Sequence, residues 1–204
     1  MSFETEQEQF WAGQFGDEYA GRNAGPHWVA SNAALFSRVL GSTRGVRSVL
    51  EVGANTGLNL RALRSLLPEA DLAGLEINPT AAQQLRDWGG CEVYEESALS
   101  FTPPRAFDLT FAKGVLIHIN PERLVDVYKL LVEASTRYVL VAEYYNPSPV
   151  AVPYRGHDDR LFKRDFAGEV MEAHGLRLVD YGFVYRRDPN FPQDDLTWFL
   201  MEKD

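Results

Sequence analysis

Between residues 46 and 141 short runs rich in aliphatic and β-branched residues alternate with stretches whose apolar positions recur at helical spacing. That alternation predicts βαβ units and a mostly parallel sheet. The first strand is expected at 47–52; residues 53–57 then break it, and Leu58, Leu60, Leu63, Leu66 and Leu67 mark one helical face that Pro68 ends. Further strands are expected at 72–76, 92–94, 107–112 and 138–143, with a helix at 79–88. Asn120 reads as an N-cap and Pro121 as the first position of a helix reaching Glu133. Residues 166–174 form a helical pattern closed by Gly175, and two last strands are expected near 176–185 and 196–201. The Pro- and Asp-rich connection at 188–195 is too short for a crossover helix, so these two should pair antiparallel.

Ahead of the sheet, Ala30, Ala33, Ala34, Phe36, Val39 and Leu40 suggest a packing helix, whereas 10–23 mixes aromatics, glycines and charges without a clean period and reads as a lid or ligand-contacting arm. The expected organisation is one domain over 1–204, with a helical N-terminal arm at 1–45 and a long loop at 144–165 suited to substrate contact.

Composition narrows the classes. With 45% hydrophobic and 24% charged residues the chain has ordinary globular composition. A formal charge of -9 repels phosphate backbones, which argues against nucleic acid as a partner. Cys91 is the only cysteine, which excludes an internal disulfide and a cysteine-type zinc site, and no metal is expected. The polar, acidic start lacks the basic end and apolar stretch of a signal peptide, and no apolar run approaches the ~20 residues of a membrane span. A soluble, cytoplasmic protein without membrane partners is the expectation.

The candidate chemistry begins at Glu51-Val52-Gly53-Ala54-Asn55-Thr56-Gly57, where the first strand turns into the first helix. Glycines there allow a tight turn and let a ligand approach the backbone at the crevice of an α/β sheet. Glu76 ends the second strand roughly twenty residues on, where such folds place the carboxylate that accepts hydrogen bonds from ribose hydroxyls. The spacing departs from the dinucleotide G-x-G-x-x-G because Asn55 stands at its second glycine, the one that approaches a pyrophosphate; asparagine also tolerates left-handed backbone angles.

With these features the chain resembles class I S-adenosylmethionine-dependent methyltransferases. The resemblance implies an α/β, Rossmann-like sandwich with a mostly parallel seven-stranded sheet ending in an antiparallel hairpin, and S-adenosylmethionine as cofactor. It implies that Gly53, Asn55, Thr56 and Gly57 lie under the methionine part, with Glu51 also among the cofactor-binding residues, that Glu76 takes the ribose, that Ile77 flanks the adenine, and that Ser97, Ala98 and Leu99 hold it. Lys113 would lie near the methionine end. An aspartate is frequent in that family at the position of Ser97. More narrowly, Phe10-Trp11-Ala12-Gly13-Gln14-Phe15-Gly16-Asp17-Glu18-Tyr19, the 53–59 loop, Gly114-Val115-Leu116-Ile117-His118-Ile119 and Leu161-Phe162-Lys163-Arg164-Asp165-Phe166-Ala167-Gly168 resemble the methylases associated with pseudaminic acid biosynthesis, which implies a sugar-like acceptor.

Methyl transfer is an in-line displacement that gains most from positioning, and a base serves where the acceptor must lose a proton. His118, after the fourth strand at the ligand-binding edge, is the candidate base; a packed or capping histidine is the other reading of the same residue. Tyr19, Arg22 and Asn23 are placed to close over the cofactor, or form a solvated helix. Tyr144, Tyr145, Asn146, Tyr154, Arg155, His157, Lys163 and Arg164 are the candidate substrate contacts. Arg155, Arg160, Lys163 and Arg164 lie among Asp158, Asp159 and Asp165, which reads either as a clamp for an anionic or nucleotide-linked sugar or as a solvated mixed-charge loop. Two rivals stay open: a nucleotide-dependent oxidoreductase, and a non-catalytic cofactor-binding module.

Overall fold

The computed structural model describes residues 3–22 and 25–203. Three helices open the chain, α1 (Glu6–Ala12), α2 (Gln14–Arg22) and α3 (Pro26–Gly41). They are followed by β1 (Ser48–Val52), α4 (Leu58–Leu66), β2 (Asp71–Glu76), α5 (Pro79–Trp88), β3 (Glu92–Glu95) and β4 (Phe107–Lys113). After two 3-10 turns come α6 (Leu124–Glu133), β5 (Ser135–Glu143), the short β6 (Val150–Ala151) and β7 (Phe162–Lys163), α7 (Phe166–His174), β8 (Arg177–Val184) and β9 (Leu196–Glu202).

Seven strands form one sheet in the order β3-β2-β1-β4-β5-β9-β8. Pairing is parallel from β3 to β5; β9 runs antiparallel to both β5 and β8. This is the α/β sandwich, mostly parallel and ending in an antiparallel hairpin, that the sequence pattern and the family resemblance imply. The inner strands are buried on both faces, as near-continuous aliphatic strands must be when helices cover each side. Alternation sends Leu50, Leu75, Val139 and Val141 to one core with α6 and α7, and Val49, Leu109, Leu140 and Leu200 to a second core with α3, α4 and α5.

Chain order sets the position of the crevice. From β1 the chain steps outward to β2 and β3, then returns to lay β4 on the opposite side of β1, so the carboxyl ends of β1 and β4 diverge at a topological switch point where open sheets bind ligands.

Several local expectations are corrected. The helix expected to start at Pro121 begins at Leu124, because Asn120 Oδ1 accepts from Glu122 N at 3.0 Å and so caps a separate 3-10 turn, Pro121–Arg123. The arm at 10–23 lacked a clean period because two short helices with different faces meet at Gly13. Within the 144–165 loop, β6 and β7 pair as a small antiparallel ribbon that the sequence did not announce. Among the described residues no helix is long and apolar enough to cross a membrane.

Candidate functional site

The loop after β1 is built from backbone angles that few residues adopt. Gly53, Asn55 and Gly57 have φ of 75, 48 and 82°. A Cβ on Gly53 would stand 2.5 Å from Val115 Cγ2, and one on Gly57 2.4 Å from Leu85 Cδ1, so both positions require glycine on space as well as angle. Gly53 N and Ala54 N both donate to Leu75 O, at 2.8 and 3.0 Å, which ties the turn to the end of β2. Gly57→Ala is therefore expected to destabilise the fold by about 2 kcal/mol or more, from positive φ together with overpacking against a fully buried leucine; chemical denaturation checks this.

Glu76 sits against this loop. Its Oε2 accepts from Asn55 N at 2.7 Å and its Oε1 from Asn78 N at 2.8 Å, which fixes the carboxylate plane. Burial raises its pKa, and the backbone donors oppose that shift. A carboxylate oxygen can accept more than one hydrogen bond, so Glu76, which lines the cavity, can accept from a ligand's hydroxyls as well as from the backbone.

The cavity at the switch point joins these groups. Gly53, Asn55 and Thr56 line it beside Glu76, and Ile77, Ser97, Ala98 and Leu99 line it on the β2–β3 side. Lys113, His118 and Tyr19 line its other side. Gly57 is not in the wall; its left-handed residue starts α4. Glu51 is also outside the wall: its Oε1 accepts from Asn59 Nδ2 at 2.6 Å, and burial pushes its pKa up to about 8. Arg22 ends α2, and Asn23 lies outside the described residues.

Three ionisable groups sit at the carboxyl ends of adjacent strands, Glu51 on β1, Lys113 on β4 and Glu143 on β5, and of these only Lys113 lines the cavity. Glu143 Oε1 accepts from Val115 N and Leu116 N, both at 2.9 Å, and shapes the turn that carries His118; burial pushes its pKa up to about 7. Burial lowers the pKa of Lys113, opposed by the charges of Glu51, Asp194 and Glu143.

His118 closes the 3-10 turn Leu116–His118 and is 8% exposed. Its Nδ1 lies 2.6 Å from Arg160 O, and a carbonyl can only accept, so Nδ1 carries the proton and Nε2 is left with a lone pair. Burial lowers the imidazole pKa to about 4, which leaves it neutral at physiological pH. Trp11 and Tyr154 pack on it, with ring centroids 4.6 and 5.2 Å away.

The N-terminal helices roof the cavity. Asn78 Nδ2 donates to Trp11 O at 3.2 Å and Asp17 Oδ1 at 3.0 Å, and Gln7 Nε2 donates to Asp159 O at 3.2 Å. A Cβ on Gly16 would stand 1.9 Å from Trp11 O, so α2 turns back tightly beneath Trp11. Sequence reasoning did not single out Glu8, Trp11, Asn32, Asn78 or Asp194, all of which line the cavity. The Thr5-x-x-Glu8 spacing of a capping box was the one available signal.

The candidate substrate residues do not line the cavity. Tyr154 backs His118, His157 packs on Phe10 at 5.1 Å, and Lys163 lies 5.0 Å from the Tyr144 ring centroid. Burial and the charge of Asp194 raise the Tyr144 pKa. Tyr145 is exposed and bridges to the backbone of Arg164, and Asn146 Nδ2 donates to Ser148 O at 2.5 Å. Arg155 takes φ 50° beside the Tyr154 ring. Arg164 Nε donates to Glu169 Oε1 at 2.6 Å, so its guanidinium is engaged within the fold. Among the described residues Lys113 is the only lysine or arginine in the cavity wall.

No protein-family model matches the chain, and no curated protein matches it in sequence. Solved structures do match in fold. A magnesium protoporphyrin IX methyltransferase from Synechocystis PCC 6803, solved with bound SAH, superposes with a TM-score of 0.69 at 13% identity over 97% of both chains. A sugar N-methyltransferase from Streptoalloteichus gives 0.67 at 16% identity, covering 94% of this chain and 93% of that one. A SAM-dependent methyltransferase from Leishmania major gives 0.71 at 19% identity, over 96% of this chain and 81% of the other.

Proposed function

We propose that the chain is an S-adenosylmethionine-dependent methyltransferase that transfers a methyl group to an oxygen or nitrogen of a small, polar, sugar-like acceptor. The observation that carries this reading is the cavity at the β1/β4 switch point, where the Glu76 carboxylate is held by two backbone donors beside a left-handed loop. Its wall suits a polar ligand: Gln7 Oε1, Trp11 Nε1, Asn32 Oδ1 and Asn59 Oδ1 are buried there without a hydrogen-bond partner. The fold neighbours support the same reading, since they include methyltransferases solved with SAM or SAH.

In this reading Glu76 holds the ribose, Ile77 and 97–99 the adenine, and the 53–56 loop the methionine part. When bound, S-adenosylmethionine supplies an electrophilic methyl on a sulfonium. The residues on the Lys113 and His118 side position the acceptor atom in line with it. The free Nε2 of His118 would accept the proton that the acceptor's oxygen or nitrogen gives up on methylation. Trp11 and Tyr19, on the roof, exclude water from that exchange.

The sugar-like acceptor is supported by the four sequence blocks that resemble pseudaminic acid-associated methylases and by sugar and amino pentose methyltransferases among the fold neighbours. A negative charge on that acceptor would meet Lys113, since Arg164 is paired to Glu169. Calorimetric titration tests the assignment: S-adenosylhomocysteine is expected to bind and NAD not to. Tight NAD binding would favour the oxidoreductase. Absence of any methylated product from hydroxy- and amino-sugars, despite cofactor binding, would favour the non-catalytic module.

A further inference from the structure

The adenine end of the cavity holds a carboxylate that comes from the roof. Glu8 is 7% exposed and lines the cavity from α1. Its Oε2 accepts from Glu4 N at 2.7 Å and Thr5 N at 2.8 Å, completing the capping box that starts the helix. Its Oε1 reaches across to Ser97, whose hydroxyl donates to it while accepting from Leu99 N at 3.0 Å. Among the described residues no lysine or arginine pairs with Glu8, so hydrogen bonds alone compensate a buried carboxylate. Oε1 can accept a further hydrogen bond beside the one from Ser97, in a side chain that lines the cavity, and on the same helix the buried Gln7 Oε1 has no donor at all. Glu8 and Gln7 therefore offer acceptors on this rim that suit an occupant bringing N–H groups.

Resting on the cofactor reading above, we infer that Glu8 is the residue that recognises the exocyclic amine of the cofactor's adenine, with Ser97 holding its carboxylate in position. Ribose on Glu76, with the reacting end toward Lys113 and His118, leaves the base the opposite side of the cavity, between Ile77 and 97–99, where Glu8 stands. A 6-amino purine offers two N–H donors to this rim. A 6-oxo purine sets a carbonyl oxygen against a carboxylate. The same contact makes α1 part of the cofactor site, so base recognition and closure of the roof over His118 depend on one side chain.

The test is calorimetric binding of S-adenosylhomocysteine and of its 6-oxo counterpart, S-inosylhomocysteine, without any turnover. Wild type is expected to prefer the 6-amino ligand by about tenfold or more, the scale of one charge-assisted hydrogen bond. Glu8→Gln should reduce the preference and Glu8→Ala should erase it. In Glu8→Ala combined with Ser97→Asp, a carboxylate placed on the other partner should restore it. If Glu8 only caps α1, Glu8→Ala will weaken both ligands equally and keep the ratio, which overturns the inference. Failure of the wild type to bind S-adenosylhomocysteine would overturn the cofactor reading itself and the inference with it.

Discussion

Glu76→Ala is expected to weaken S-adenosylhomocysteine binding by about a hundredfold or more. The estimate follows from two hydroxyl bonds to one carboxylate, each worth about 1.5–3 kcal/mol. The substitution also removes the acceptor for Asn55 N and Asn78 N, which costs about 1–3 kcal/mol for each donor left buried. Thermal unfolding must therefore accompany calorimetry. Glu76→Gln, which keeps the volume and one acceptor, separates loss of the ligand contact from collapse of the loop. Because burial raises the Glu76 pKa, its ionised form is lost at a higher pH than for an ordinary glutamate. Affinity in the wild type should accordingly fall as pH drops through that raised value, and the fall should vanish in Glu76→Gln. Affinity within twofold of wild type in a folded variant would remove Glu76 from the site.

The elements that were legible in the sequence are those whose ends carry their own stop signals. α5 and α7 begin and end at the expected residues because Asn78 and Asp165 cap their starts and Gly89 and Gly175 take left-handed angles at their ends. The position of Glu76 was legible for a similar reason, since the strand–loop–helix–strand spacing fixes where β2 stops. What could not be read is which distant surfaces meet. Trp11 reaches His118, and Glu8 reaches Ser97 across 89 positions, only because the N-terminal helices fold back over the sheet edge. The basic cluster around Arg155 to Arg164 shows the same limit: composition located the charges, but Arg164 is paired with Glu169 on the next helix and Arg160 with Glu6 on α1. Local sequence reports capping and period; it does not report which partner takes up a charge.

Replacing His118 with asparagine is expected to lower kcat by about 10²- to 10⁴-fold, the usual contribution of a general base, while leaving S-adenosylhomocysteine affinity within a few-fold of wild type. Asparagine suits the test because its amide can still donate to Arg160 O, so the turn keeps its anchor while the proton acceptor is lost. The pH dependence carries a second check. Burial lowers the His118 pKa to about 4, so the unfolded chain, with an ordinary histidine near 6.5, binds the extra proton across the interval between them. Stability contributed by the neutral ring is therefore present above pH 6.5 and lost as pH falls toward 4, by at most about 3 kcal/mol. His118→Asn should flatten that part of the stability profile. In the wild type, activity limited by His118 should hold from neutral pH down to about 5 and fail only on approach to 4, well below the midpoint of a solvent-exposed imidazole. A kcat close to wild type in His118→Asn, with the acid limb of stability flattened, would assign the histidine to packing beneath Trp11 and leave in-line positioning to supply the rate.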